Sequence, residues 1–117
     1  MKIAIPVWQD HVSPLFDSAA QLLIAEAGNK NILKQDIINV ESLSLFQRTD
    51  LLEKLAIDIF VCGGITRPIL DNIRNKNITV IPFVCGNVKE LLMALIKGKD
   101  VKNVFAMPGK SEKENIK

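Results

Sequence analysis

The chain has few cysteines and histidines, and it has no long uninterrupted apolar run. Among its 117 residues are two cysteines and one histidine, and the net charge is only +2. Neither cysteine belongs to a Cys-x-x-Cys pair, which argues against a closed zinc site. No apolar run approaches about 20 residues, and the lysines are interleaved with acidic residues instead of forming a basic stripe. We therefore expect neither a membrane span nor nucleic-acid binding.

The motifs of the common enzyme classes are also missing. The chain has no P-loop and no Gly-x-Gly-x-x-Gly turn. No motif pairs the histidine, His11, with a nucleophile, and the strands carry too few carboxylates for a two-metal site. A strand that begins at Lys2 leaves no room for a signal peptide, and two cysteines in a cytosolic chain rarely form a structural disulfide. We expect a cytoplasmic protein that is not an enzyme.

Hydrophobic periodicity divides the chain into short strands and helices. Apolar runs predict strands at 2–8, 21–27, 31–40, 57–61 and 78–81, with a hairpin turn at 28–31. Ser44, Thr66 and Asn87 each precede an amphipathic run and predict helix starts, and Gly98 predicts the end of the third helix. We expect an extended segment at 104–107 and a disordered tail at 110–117. The sequence thus predicts a single domain over residues 1–109.

The order of these elements predicts an α/β fold with a mixed sheet. Three strands precede an alternation of helices and strands, which favours antiparallel strands at one edge and parallel strands elsewhere. Right-handed crossovers place helices on both faces of a five-stranded sheet, with the first, fourth and fifth strands adjacent and parallel. Pro6 lacks a ladder donor, so we expect it at a bulge or where the pairing changes. Loops 9–18, 62–67 and 84–87 would meet beyond the carboxyl ends of the parallel strands, where such sheets bind ligands.

A short sequence repeats at two of these strand ends. Phe-Val-Cys-Gly at 60–63 recurs at 83–86, each time between an apolar strand and a helix. Thiolates bind soft metals and iron–sulfur clusters, and adjacent strands lie about 4.8 Å apart, so both cysteines could hold one ligand. Glycines allow a turn with positive φ and a close approach to a ligand, and helix N-termini attract anions. We predict a single cofactor-binding site formed by residues of both turns: Cys62, Gly63, Gly64, Thr66, Arg67, Cys85, Gly86 and Asn87. The predicted metal ligands are Cys62, Cys85 and His11.

The same residues are compatible with two other functions. Cys62 and Cys85 could form a reversible disulfide, which needs Cα atoms within about 7 Å, and the protein would then be a thiol redox switch. The turn at 63–64 and the helix start behind it could instead bind an anion or a nucleotide without any metal. The plain alternative is that both cysteines are small buried apolar side chains. The strand at 31–40 could pair at its edge with another chain, but the charges of Lys34 and Asp36 argue against such pairing, and the oligomeric state stays open.

Several motifs, in order along the chain, resemble those of one known family. They read Met-Lys-Ile-Ala-Ile-Pro-Val-Trp at 1–8, Val-Ser-Pro-Leu-Phe-Asp-Ser-Ala at 12–19, Val-Cys-Gly-Gly-Ile at 61–65, Ile-Pro-Phe-Val-Cys-Gly at 81–86 and Phe-Ala-Met-Pro-Gly at 105–109. Together they resemble the dinitrogenase iron–molybdenum cofactor biosynthesis family, which includes NifX, NafY and the C-terminal domain of NifB.

This resemblance carries expectations about fold and function. It implies a three-layer ribonuclease H-like fold with strand order 3-2-1-4-5 and the second strand antiparallel. It also implies a non-catalytic accessory protein that binds or carries an iron–sulfur or molybdenum–iron–sulfur cluster and exchanges it with donor and acceptor proteins. Leu15 stands where many relatives have a histidine, so His11 is the histidine that this chain offers as a ligand.

Overall fold

The structure, a computed structural model, describes residues 1–108. Its strands are β1 Lys2–Trp8, β2 His11–Val12, β3 Gln21–Ala27, β4 Ile32–Asn39, β5 Ile59–Val61 and β6 Thr79–Ile81. Its helices are α1 Leu45–Lys54, α2 Arg67–Arg74, α3 Val88–Ile96 and α4 Val101–Val104. The predicted tail at 110–117 lies outside the described residues. Within residues 1–108, none of the helices combines the length and apolar character that a membrane crossing requires.

The strands form one mixed sheet in the order β4-β3-β1-β5-β6, with the short β2 paired to β1. β3 is antiparallel to both β1 and β4, whereas β1, β5 and β6 are parallel. The prediction of five strands is wrong in number, because the sheet has six, and the additional strand β2 changes the order from the predicted 3-2-1-4-5 to 4-3-1-5-6 in the numbering used here. The additional strand, β2, has only two residues, Val12 opposite Val7 and His11 opposite Trp8, which is too short to show an alternating pattern.

Pro6 lies where the pairing of β1 changes, as its missing N–H predicts. Along one edge, β1 pairs first with β5, at Ile3 and Ala4, and then with β2, at Val7 and Trp8. Pro6 falls between these two partners, and its carbonyl accepts a hydrogen bond from the backbone N–H of Ser13 at 2.8 Å. The proline therefore costs the sheet no ladder donor, and it marks the point where the loop after β1 turns back.

Helices cover both faces of the sheet, and each face has its own apolar core. Ile3 and Ile5 of β1 pack with Leu91 of α3 on one face, together with Val101 of α4. Ala4 packs on the opposite face, because successive residues of a strand point to opposite sides. That second core contains residues of α1 and α2 and an edge-to-face pair of rings: Leu52, Ile69, Leu70, Ile73, Phe16 and Phe60.

Local capping signals place the helices close to their predicted starts. Ser44 and Gln47 form the reciprocal capping box at α1, and the Asn87 side chain accepts from the N–H of Glu90 at α3. Thr66 occupies the N-cap position of α2, although its side chain makes no capping hydrogen bond. Gly98 has a φ of +74° just beyond α3, the left-handed conformation that ends many helices.

The segment after α3 departs from the prediction. Residues 104–107 were expected to be extended, yet Val104 is the last residue of α4. Asp100 caps the start of this helix, because its side chain accepts a hydrogen bond from the N–H of Asn103. A four-residue helix is too short for a periodic signal, and the Asp-x-x-Asn cap alone distinguishes it from a loop. Only Ala106 pairs in extended form, as an isolated bridge to Val84.

Candidate functional site

The three loops predicted to converge at the carboxyl edge of the sheet do meet there. Loop 9–18 contacts the turn after β5 through an isolated bridge between Leu15 and Gly64. The same loop contacts the turn after β6 through a bridge between His11 and Asn87 and a 3.0 Å hydrogen bond from Val12 N to Gly86 O. The parallel alignment of β1, β5 and β6 produces this convergence, since all three strands end at one edge.

A fourth segment, residues 105–107, joins these loops and was not predicted to do so. The N–H of Cys85 donates to the carbonyl of Phe105 at 2.8 Å, and the N–H of Met107 donates to the carbonyl of Phe83 at 2.8 Å. These bonds form a short ladder beside the second Cys-Gly turn. The family resemblance at 105–109 pointed to this segment, but the hydrophobic pattern alone gave no sign of where it would pack.

Cys85 is the more accessible of the two cysteines. Its side chain is partly buried, and its sulfur lies 3.8 Å from the carbonyl oxygen of Ala106. His11, on the neighbouring loop, is exposed and pairs with Asn87, two residues beyond Cys85. Gly86 between them has a φ of +124°, which favours glycine, and a Cβ there would lie 3.2 Å from the Phe105 ring. A thiol and an imidazole are therefore both available on this part of the edge.

Cys62 lies in a very different environment. Its side chain has no exposed surface and belongs to the apolar core on the α1–α2 face. Burial raises the pKa of the Cys62 thiol from 9.0 to about 12, and the Arg74 guanidinium opposes this only in part. Since the thiolate is the form that binds metals and attacks disulfides, Cys62 is held in its unreactive protonated form. Neither cysteine is in a disulfide.

The two glycines after Cys62 are explained by protein packing. A Cβ at Gly63 would lie 2.5 Å from Ser13 O and 2.7 Å from Pro14 O, and one at Gly64 would lie 2.7 Å from the Leu15 side chain. The expectation of positive φ at these positions is wrong: among the described glycines, only Gly86 and Gly98 have it. The close backbone approach that the glycines permit is made by loop 9–18.

The two helix starts differ in how much of their hydrogen-bonding capacity is free. At α3, the N–H of Val88 donates to Asp10 O at 2.9 Å, and that of Glu90 donates to Asn87 Oδ1 at 3.0 Å. At α2, Thr66 provides no side-chain cap, and Arg67 is exposed, with Nε 3.4 Å from Asp71 Oδ1. The N-terminus of α2 is thus the more open of the two positive dipole ends.

An apolar cleft of about 290 Å³ adjoins this helix start and was not predicted. Its walls include Gly64, Thr66, Phe83 and Met107. Phe83 has a φ of +60°, an uncommon conformation for an aromatic residue, and both its N–H and its carbonyl are hydrogen-bonded, to Gly63 O and Met107 N. Residues held in this way are frequent at binding sites.

Arg48 is a further residue that the sequence reasoning missed. It is buried on α1 and donates to three carbonyls, those of Phe16 at 2.8 Å, Ala19 at 2.7 Å and Leu43 at 3.2 Å. The signal was available, since Arg48 lies three residues after Leu45 and four before Leu52 on the apolar side of α1. A charged residue at such a position needs buried partners, and here two of the three carbonyls, those of Phe16 and Ala19, lie at the end of loop 9–18.

The donor set of the site is small. Within the described part of the chain, no group of three or more His, Cys, Asp or Glu side chains is arranged to hold a metal ion. Cys85 and His11 lie on adjoining loops, whereas the sulfur of Cys62 is enclosed in the core. The residues fit a ligand that needs one or two protein donors, and they do not form a closed metal site.

Solved structures with this architecture are known at low sequence identity. PH0822 is 20% identical with a TM-score of 0.77, covering 85% of this chain and 92% of its own. A protein from Methanocaldococcus jannaschii, named as a candidate dinitrogenase, is 19% identical with a TM-score of 0.70, covering 85% and 90%. The apo form of the orange protein from Desulfovibrio gigas is 17% identical with a TM-score of 0.70, covering 84% and 88%. At these identities the likeness shows the fold alone.

Sequence comparison gives the more specific result. No curated protein matches the chain. The family model described as dinitrogenase iron-molybdenum cofactor matches residues 1–98, which include both Cys-Gly turns and the loop that carries His11. The match confirms the resemblance drawn from the motifs, and the chain therefore belongs to the dinitrogenase iron–molybdenum cofactor family.

Proposed function

We propose that this protein carries an iron–sulfur or molybdenum–iron–sulfur cluster as cargo during cofactor assembly and catalyses no reaction itself. The family to which the chain belongs supports a role connected with this cofactor. The observation that carries the proposal is the position of Cys85, partly exposed at the carboxyl edge of the sheet, beside the loop that bears His11. Donor and acceptor proteins, acting in the cytoplasm, would be the partners.

The chemistry of the edge suits a weakly held anionic cluster. Cys85 would provide a thiolate and His11 an imidazole, both of which bind iron. On the neighbouring loop, the α2 N-terminus would offset the negative charge of the cluster, together with Thr66, Arg67 and the turn at Gly63 and Gly64. Gly86 and Asn87 would shape the turn at Cys85. A cargo held by few protein ligands can pass to an acceptor by exchange of those ligands.

The role of Cys62 in this proposal is secondary. Its thiol is fully buried, and its raised pKa keeps it protonated at neutral pH. Direct ligation by Cys62 would require the core on the α1–α2 face to open. The same burial weighs against a disulfide switch, because Cys62 would have to leave the core to reach Cys85. We therefore expect the cluster to depend on Cys85 far more than on Cys62.

The proposal is tested by anaerobic loading of the purified protein with iron, sulfide and molybdate. Bound metal per chain and charge-transfer absorption are measured for the wild type, Cys85→Ala, Cys62→Ala and His11→Gln. We expect loading of the wild type, loss of at least about tenfold in Cys85→Ala, since a direct ligand is removed, and retention in Cys62→Ala. His11→Gln should load less metal than the wild type if the imidazole is a ligand.

The possible outcomes distinguish an error in the proposed function from an error in the proposed site. A wild type that takes up no metal from these sources or from a preassembled cluster would overturn the cluster-carrier function. Loading that survives Cys85→Ala but fails in a folded Cys62→Ala would place the cluster in the core and refute the site proposed here. Circular dichroism of each apo variant controls for loss of the fold.

A further inference from the structure

Strand β4 has an unpaired edge. Among the described residues it pairs only with β3, so one row of its backbone N–H and carbonyl groups faces outward. Most of its residues are exposed, including two large apolar ones, Leu33 at 65% and Ile37 at 53%. Edge strands of this kind accept another strand unless charges, prolines or covering segments prevent it.

The sequence around β4 is symmetric in its chemistry. Residues 31–39 read Asn-Ile-Leu-Lys-Gln-Asp-Ile-Ile-Asn, and Gln35 is the central position. Outward from the centre, a lysine mirrors an aspartate, a leucine mirrors an isoleucine, an isoleucine mirrors an isoleucine, and an asparagine mirrors an asparagine. In an antiparallel pair of identical strands centred on Gln35, each residue faces the one that mirrors it.

We propose that a second copy of this chain binds to the β4 edge, with Gln35 opposite Gln35 on a two-fold axis. Each Lys34 then faces an Asp36, and each Leu33 faces an Ile37. Such an interface is isologous and closes at two copies. It joins two sheets into one, and it places the exposed apolar side chains of β4 against one another.

The charges select this register over its neighbours. Lys34 and Asp36 lie on one side of the strand, with Nζ and Oδ2 3.7 Å apart, and both are more than half exposed. Centring the pair on Gln35 produces an alternating array of two lysines and two aspartates. A shift of two residues puts Lys34 opposite Lys34 in one direction and Asp36 opposite Asp36 in the other. A shift of one residue opposes side chains from different faces of the sheet.

The backbone of the strand is regular where the central pairs form. The register between β3 and β4 shifts between the pairs Glu26–Lys34 and Ala27–Ile32, so Leu33 is the extra residue of β4, and residues 34–39 pair without interruption. The central pairs of the proposed interface fall within this regular part. Because a single strand pair buries less area than a standard stable interface, we expect a dimer that dissociates on dilution.

A charge-swap series tests the proposal by sedimentation equilibrium over a range of protein concentrations. Asp36→Lys and Lys34→Asp each bring like charges together, so each should weaken dimerisation by about tenfold or more. The double variant Lys34→Asp/Asp36→Lys restores opposite charges across the pair and should recover the dimer. The effect of each single variant should shrink at high salt, because the charges are exposed.

A crosslinking experiment tests the register separately. Opposed residues in an antiparallel pair have Cα atoms about 4.5–5.5 Å apart, within disulfide range. Gln35→Cys should therefore form an intermolecular disulfide on mild oxidation, whereas Ile37→Cys, whose copies would lie roughly 13 Å apart, should not. A wild type that stays monomeric at high concentration would overturn the proposal. So would a dimer that is unaffected by the single charge reversals.

Discussion

At the residue scale, one four-residue sequence produces two different cysteine environments. Cys62 follows β5, which lies between β1 and β6 in the interior of the sheet, and its side chain is fully buried. Cys85 follows β6, an edge strand, and is only partly buried, with its sulfur 3.8 Å from the carbonyl oxygen of Ala106. The repeat is visible in the sequence, but the burial is not, because it depends on which strand takes the edge position.

Glycine substitutions should show the same dependence on surroundings. Gly63→Ala would place a Cβ 2.5 Å from a backbone oxygen, and Gly98→Ala would place one in open space at a φ of +74°. We expect Gly63→Ala to lower the free energy of unfolding by about 3 kcal/mol or more, because backbone must move. Gly98→Ala should cost about 1 kcal/mol, from conformational strain alone. Urea unfolding measures both.

Equal losses in the two variants would contradict this interpretation. They would mean that loop 9–18 yields to the added methyl group without cost. In that case Gly63 would be retained for another reason, such as access for a ligand.

At the scale of elements, α1 holds the end of loop 9–18 through a single buried side chain. Arg48 donates to the carbonyls of Phe16 and Ala19, and Phe16 in turn donates its N–H to Gly64 O at 3.0 Å. The loop that carries His11 is thus fixed to the helix on one side and to the turn after Cys62 on the other. Sequence periodicity assigns the helix but cannot assign this partner.

Removal of Arg48 should therefore loosen the site as well as destabilise the fold. We expect Arg48→Ala to lower the free energy of unfolding by about 3 kcal/mol, since three carbonyls lose a charged donor. Arg48→Lys should recover only part of this free energy, because an ammonium keeps the charge but lacks the planar fork of a guanidinium. Urea unfolding gives the stabilities, and amide hydrogen exchange reports the opening of residues 13–19.

Arg67→Ala is the matched control for this prediction. Its side chain is 73% exposed and pairs only at the surface with Asp71. We expect its effect to stay within about 0.5 kcal/mol. If Arg48→Ala were equally mild, the buried hydrogen bonds would contribute little, and the loop would be held by packing of Phe16 against Phe60.

Elements with a strong local signal were predicted well, and contacts between distant elements were not. The capping box at Ser44 and the cap at Asn87 are encoded within four residues, so the sequence predicts them closely. β2 has only two residues and owes its form to pairing with β1 and to the bridge between His11 and Asn87, and the bridge between Ala106 and Val84 joins segments that are distant in sequence. The convergence of the loops followed from topology, whereas the enclosure of Cys62 followed from packing that no local pattern records.

At the scale of the whole molecule, the proposed carrier site and the proposed dimer interface are separated by the sheet. The site lies beyond the ends of β1, β5 and β6, and the interface is the outer edge of β4, on the far side of β3. A dimer would therefore leave both sites open to donor and acceptor proteins. The charge-swap variants should accordingly load cluster as the wild type does, which allows the two proposals to fail independently.

Global stability should depend on alkaline pH through Cys62. The thiol is protonated in both folded and unfolded chains below about pH 9, so it contributes no pH dependence there. Between the unfolded pKa of 9.0 and the folded pKa of about 12, the unfolded chain has lost this proton and the folded chain retains it. The free energy of unfolding should then fall by at most about 1.4 kcal/mol per pH unit.

The matched variant for this effect is Cys62→Ala, because the lysines and Cys85 titrate in both proteins. Cys62→Ala should be less stable than the wild type at pH 7, since it loses a buried sulfur. That difference should shrink as the pH rises from 9 toward 10.5, because only the wild type has a buried thiol that must stay protonated. Urea unfolding at several pH values measures it. A difference that stays constant would mean that the Cys62 thiol ionises as easily in the folded chain as in the unfolded one, and that the core on the α1–α2 face admits a thiolate.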